Sequence, residues 1–152
     1  MDVKLINPFI DAFMTIMPQV GFQNIARGKV SLKEKAADSL GVTVLVGLTK
    51  EIRGNVAYNM SDETARAIAS TMMCGMPVAT FDEMAQSAIS ELSNMLTANS
   101  ATNLTALGIE VDISTPSLTI GDGFTVKISD VQYVAIEMTA DGHTVEINIA
   151  LK

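Results

Sequence analysis

The sequence predicts an α+β fold in which long helices pack against a largely antiparallel β-sheet. Three observations carry the prediction: helical spacing of apolar residues over the first twenty positions, strand-like patterns in the middle and in the last third, and a long unbroken helical stretch between them. With 152 residues and 48% apolar composition, the chain has material for one core, because domains commonly run to about 100–150 residues. Residues 1–152 are therefore expected to form one domain.

Leu5, Ile6, Phe9, Ile10, Phe13 and Met17 recur at helical spacing, so the first twenty residues are expected as an amphipathic helix facing a core. Pro8 then belongs in or near the first turn, where a missing N–H costs least. Residues 21–40 are mixed, charged and without clear period, and are expected as loop with at most one short strand.

From Gly41 the pattern changes. "VTVLVGLT" is continuously apolar, as in a strand buried on both faces, while "IRGNVAYNM" alternates, with Ile52, Val56, Tyr58 and Met60 on one side. The short link Lys50-Glu51 suggests a hairpin. Ser61 with Asp62 and Glu63 supplies an N-cap and first-turn acids for a helix through about Met73, ended by Gly75 and Pro77.

Thr80-Phe81-Asp82-Glu83 has the T-x-x-E spacing of a capping box, so another helix is expected to begin there. Nothing breaks it before Gly108, which makes roughly 26 residues with a C-terminal glycine cap. Ile89, Leu92 and Leu96 belong to its buried face. The last third reads as β: a short strand near "IEVDIS", a turn-rich passage through Pro116 and Gly121-Asp122-Gly123, then "TVKISDVQYVAIEM" and "HTVEINIALK" joined by Ala140-Asp141-Gly142. Val145, Ile147, Ile149 and Leu151 alternate as a half-buried strand should. A weak echo, helix then strands twice over, hints at duplication.

Ten Lys+Arg against seventeen Asp+Glu give a net charge of −7. So acidic a surface is repelled by phosphate backbones and anionic lipid, which disfavours nucleic acid and membrane as partners. The opening segment holds Asp2 and Asp11 and lacks a basic region followed by a small-residue cleavage site, so it does not read as a signal peptide. "VTVLVGL" is far too short to span a bilayer, and a cytoplasmic protein is expected. Cys74 and His143 are each the single residue of their type, which excludes disulfide frameworks, zinc clusters and most Cys/His or Ser/His/Asp catalysis. Cys74, in Met-rich "TMMCGM", is expected as a small residue within core or helix–helix filler, and His143 as a solvated residue after a hairpin turn.

One constellation could carry chemistry. In "SAISELSNML" and the residues that follow it, Ser87, Glu91, Asn94 and Ala98 stand at offsets of four, three and four, so a helix places all four on one strip. Leu92 and Leu96 point elsewhere. The strip is a polar ridge interrupted by a small residue, shaped to let another protein come close. Taken alone, E-x-x-N is a frequent pattern, and a solvated outer face explains it equally well.

The passage Ser87-x-x-x-Glu91-x-x-Asn94 matches the [DS]-x-x-x-E-x-x-N signature of the CheC/CheX/FliY family of chemotaxis phosphatases. "FDEMAQSAISELSNML" is similar to that family's motif helix with its acidic lead-in, and "LTALGIEVDISTP" resembles the helix end and strand that follow. "INPFIDAF" resembles the opening of CheX-like chains, and "STMMCGM" the link between the middle helices. The resemblance covers nearly the whole chain, least securely at 21–40. CheC-like members carry E-x-x-N on the first helix as well. Here the corresponding strip is Asn7-x-x-x-Asp11-x-x-Met14, and Met14 cannot hydrogen-bond a water as an amide does. One site points to the CheX-like branch.

This resemblance implies a phosphatase whose substrate is the aspartyl phosphate of a CheY-type receiver domain. Asn94 would position the attacking water, Glu91 would meet a lysine of the receiver, and Ser87 and Ala98 would be edge contacts to the partner. General-base work suits Glu91 less, because an exposed carboxylate is a weak base for water. The resemblance further implies no cofactor of the chain's own, with magnesium supplied by the receiver. It also implies a homodimer formed through strands, for which "VTVLVGLT" and the C-terminal strand are candidates to cover an edge, although a buried central strand explains the former equally well. A different class stays open: a non-catalytic receiver-binding or assembly module of the same fold.

Overall fold

The computed structural model describes residues 3–152, Val131 by its backbone alone. Met1 and Asp2, which belong to the expected first helix, lie outside the described residues. The elements run α1 (Val3–Val20), β1 (Ile25–Asp38), β2 (Gly41–Lys50), β3 (Gly54–Ser61), α2 (Asp62–Met72), α3 (Glu83–Ala106), β4 (Val111–Ile113), β5 (Ser117–Gly121), β6 (Thr125–Ala140) and β7 (His143–Leu151). The strands form one sheet in the order β1-β6-β7-β3-β2-β4, with β5 also on β2, and every pairing is antiparallel. Among the described residues no helix is long and apolar enough to cross a membrane.

The α+β expectation holds, and the helices cover one face of the sheet. Phe9, Phe13 and Met17 of α1 and Ile89 and Leu104 of α3 join Val44, Tyr58 and Ile147 of the sheet in the main core. Burying a Val, Leu, Ile or Phe side chain contributes about 1.5–3 kcal/mol, which makes this layer the dominant stabilising contact. A smaller cluster of Ala37, Ala57, Ile128, Tyr133, Ala135 and Ala150 lies on the opposite face. β1 and β6 shift register between Glu34 and Ala36, where Lys35 takes φ 60°, and beyond the shift Ala37 of β1 joins that cluster.

Four expectations are corrected. Residues 21–40 are not loop: Ile25–Asp38 is a fourteen-residue strand. Its residues up to Lys35 are exposed or half-buried, so it has no buried face to announce itself and is held by its ladder to β6. Likewise the passage after Pro116 holds β5, which pairs Val42 with Ile120 and Val44 with Leu118. Cys74 is exposed at φ 58°, in the bend that ends α2, because the chain needs a left-handed turn there; Met72 and Met73 do pack against the core. Of the two readings of "VTVLVGLT" the buried interior strand holds, and neither β2 nor β7 covers an edge. Each is paired on both sides, and β1 is the long open edge.

Smaller differences concern boundaries. The β2–β3 connection includes Ile52 and Arg53, since Leu48 pairs with Gly54. Pro8 lies in the second turn of α1 as described, its ring buried and its carbonyl accepting from Asn103 Nδ2 at 2.9 Å. His143 is half-buried as the first residue of β7. The expected cap at Ser61 is present, its hydroxyl accepting from Thr64 N at 3.0 Å.

Candidate functional site

The helix carrying the strip is set by its ends and by its buried side. Asp82, rather than Thr80, is the N-cap: its carboxylate accepts from Ala85 N at 3.0 Å. Asp82 N donates to Thr80 O at 2.8 Å, so the chain turns once before the helix starts, and the anticipated Thr80–Glu83 capping box does not form. At the far end Gly108 takes φ 84°, as a glycine terminator should.

The buried side of α3 mixes apolar and small hydroxyl residues. Ser93, Thr97 and Ser100 are buried and bond back to the carbonyls of Ile89, Leu96 and their own turn: Ser93 Oγ to Ile89 O at 2.9 Å, Thr97 Oγ1 to Ser93 O at 2.7 Å, Ser100 Oγ to Leu96 O at 2.8 Å. From the sheet, Tyr58 Oη reaches Thr97 Oγ1 at 2.9 Å, and burial pushes the Tyr58 phenol well above its ordinary range. The bond restrains the rotation of the helix, and the strip of Ser87, Glu91 and Asn94 lies about a quarter-turn around the helix from Thr97.

On that strip Ser87 and Glu91 are exposed and Asn94 is half-buried. All three line an open groove of about 850 Å³ between α3 and the segment joining β4 to β5. Ala98 is exposed one turn further on and is not among the groove-lining residues. Among the described residues, no hydrogen bond or ion pair engages the side chains of Glu91 or Asn94. A carboxylate and a carboxamide are thus presented free, one turn apart, on a rigid support. Among the described residues the groove lining includes Glu83 and Glu91 and no basic residue.

The structure adds residues that the strip did not include. Glu83 lies four positions before Ser87 and could have been found by extending the same spacing. Gln86 and Ser90 also line the groove. Ser114, Thr115 and Pro116 form the other wall; they close the passage "LTALGIEVDISTP", but nothing local placed them beside α3, because only β-pairing to β2 brings them there. On α1, Asn7 and Asp11 line a separate, smaller hollow with Asn103, while Met14 does not. Among the described residues no group of three or more His, Cys, Asp or Glu is placed to hold a metal ion.

A long helix laid over an antiparallel sheet with its polar strip outward defines a CheC-like α+β protein. A CheC-like superfamily protein from Shewanella sp. PV-4 superposes with a TM-score of 0.87 at 26% identity, covering 100% of this chain and 99% of that one. The chain belongs to the CheX family: the family described as chemotaxis phosphatase CheX matches residues 42–139. It is 34% identical over 128 residues to the CheY-P phosphatase CheX of Thermotoga maritima, covering 84% of this chain and 82% of that protein. The CheX–CheY–BeF3–Mg2+ complex from Borrelia burgdorferi contains a chain that matches with a TM-score of 0.83 at 28% identity, covering 97% of each.

Proposed function

We propose that this protein is a phosphatase for the aspartyl phosphate of a CheY-type receiver domain, working through Asn94 and Glu91 of α3. The observation that carries the reading is the free carboxylate–carboxamide pair on the outward strip of a helix locked to the sheet. Water attacks the phosphorus, the bond from phosphorus to the aspartyl oxygen breaks, and the receiver's carboxylate and inorganic phosphate are released. An amide suits the positioning task, since its oxygen accepts from the attacking water while its NH2 donates nearby. Glu91, one turn earlier, pairs with a basic group of the receiver and sets the register of docking. Ser87 and Ala98 are small enough to let the receiver close over the strip.

Charge on the phosphoryl group is neutralised by magnesium carried in the receiver's own site. The reading places the protein in the cytoplasm, with residues 1–152 as one CheX-like domain. That unity is supported by a sheet in which β1, near the start of the described chain, pairs with β6 near its end. We further propose a homodimer joined at the β1 edge, where Val30 and Leu32 are 46% and 60% exposed and where, among the described residues, β6 is the one strand that pairs with β1.

The test is direct. Phosphorylated CheY-type receivers are mixed with wild type and with Asn94→Ala, and phosphate release is followed. Wild type should accelerate release, and Asn94→Ala should abolish the acceleration while still binding. Failure of the wild type on every cognate receiver ends the enzymatic reading in favour of receiver binding alone. A monomer by solution scattering ends the dimer proposal.

A further inference from the structure

The outward strip of α3 forms only one side of the groove. The opposite side is the turn between β4 and β5, and both of its ends are tied to the same central strand: Ile113 pairs with Leu48, and Ser117 pairs with Leu45. Between these points Ser114 closes a two-way link to Gly47. Gly47 N donates to Ser114 Oγ at 2.8 Å, and Ser114 N donates to Gly47 O at 2.9 Å. A Cβ on Gly47 would stand 3.4 Å from Ser114 Oγ, so the turn lies in close contact with β2 at this point. The turn is therefore a fixed feature and not a loose loop, although Ser114 and Thr115 are exposed.

We propose that the turn Ser114–Pro116 is a second docking wall for the receiver domain, which is held between this turn and α3 and not touched by α3 alone. The inference rests on the phosphatase reading for the identity of the occupant. Continuity supports it: Asn94, Glu91, Thr115 and Pro116 line one groove, so a partner that buries Asn94 must also meet the turn. Charge supports it as well. Among the described residues the lining carries the carboxylates of Glu83 and Glu91 and no cationic side chain, which fits a partner surface that is basic or neutral around its phosphorylated aspartate. Glu83 stands eight residues before Glu91, about 12 Å along the helix axis. The wall thus selects among receivers by the shape and charge next to the reacting group, while leaving the positioned water to Asn94. Ser114 acts through the turn and is a positioning residue. Thr115 is a contact residue.

The experiment uses the full chain and a receiver that has been loaded with beryllofluoride and Mg2+, so that binding is measured without turnover. Calorimetric Kd values for wild type, Thr115→Trp and Ser114→Ala are set beside steady-state KM and kcat on the phosphorylated form of the same receiver. Thr115→Trp, which fills the groove, should raise Kd and KM about tenfold with kcat changed less than about twofold. Ser114→Ala should raise both by about threefold at an unchanged far-UV spectrum. A Kd for Thr115→Trp indistinguishable from wild type overturns the wall and leaves the phosphatase reading standing. Tight binding by a wild type that does not hydrolyse the receiver overturns the phosphatase reading, while the same Kd comparison still decides the wall. If Thr115→Trp does not fold, Thr115→Glu reads the same contact by charge, and an unchanged Kd there is equally fatal.

Discussion

The Tyr58 phenol and the Thr97 hydroxyl meet at 2.9 Å inside the core, one helical turn beyond Asn94 on the same helix. Thr97 donates its own proton to Ser93 O at 2.7 Å, so Tyr58 is the donor to Thr97. Sheet and helix are joined by a directional bond in a layer otherwise held by non-directional apolar packing. Together with the apolar packing of Ile89, Leu92, Leu96 and Leu104, that bond restrains the rotation of the helix that bears Glu91 and Asn94.

Replacing Tyr58 by Phe is expected to cost about 1 kcal/mol, the net value of a buried hydrogen bond, read as a lower urea midpoint. The same substitution changes alkaline behaviour. Burial raises the Tyr58 phenol's pKa in the folded state, so its contribution is present below the unfolded phenol's value of about 10 and is lost as pH rises beyond it. Between about pH 10 and 12 the wild type should lose stability faster than Tyr58→Phe, the unfolded chain being the state that releases the proton.

Asp141 ties the turn after α1 to the β6–β7 hairpin. Its carboxylate accepts from Asn24 N at 2.7 Å and from Gln23 N at 3.2 Å, and these backbone donors, Asn24's first, hold it below the usual carboxylate range. A depressed folded pKa contributes stability that is present above the unfolded value and lost as pH falls through the folded one. Asp141→Asn should therefore be less stable than wild type at pH 7 and should show a flatter acid limb below about pH 4 in thermal unfolding.

Gly54 of β3 pairs with Leu151 of β7, and a Cβ there would collide with the carbonyl oxygen of Ala150. Neither backbone can yield, since β3 and β7 are both interior strands. Gly54→Ala is expected to destabilise by about 3 kcal/mol or more, measured by urea denaturation. A loss below about 1 kcal/mol would show that the ladder relaxes there.

Glu91→Gln keeps the size of the side chain and removes its charge. The half-saturating concentration of phosphorylated receiver should rise about tenfold at low salt, with a much smaller effect on turnover at saturation. Because an ion pair at a groove rim is screened, the gap between variant and wild type should narrow as ionic strength rises. A gap that does not respond to salt would argue against a docking ion pair.

The sequence by itself determined what is local. Spacing of four and three set Ser87, Glu91 and Asn94 on one strip of α3, Ser61 announced α2, and Asp141-Gly142 announced the last hairpin, where Asp141 and Gly142 take φ 48° and 84°. Each follows from helix period, cap chemistry or turn conformation within a few residues. Tertiary structure alone decided the rest. β1 exists because Ile25–Asp38 pairs with a strand about a hundred residues later, and its exposed faces leave no periodic trace. Thr80 lost the cap to Asp82 because a turn at Phe81 intervenes. The wall at Ser114–Pro116 and the bond from Tyr58 to Thr97 are likewise long-range, created when β-pairing and helix packing bring distant segments together, and no window of sequence contains both partners.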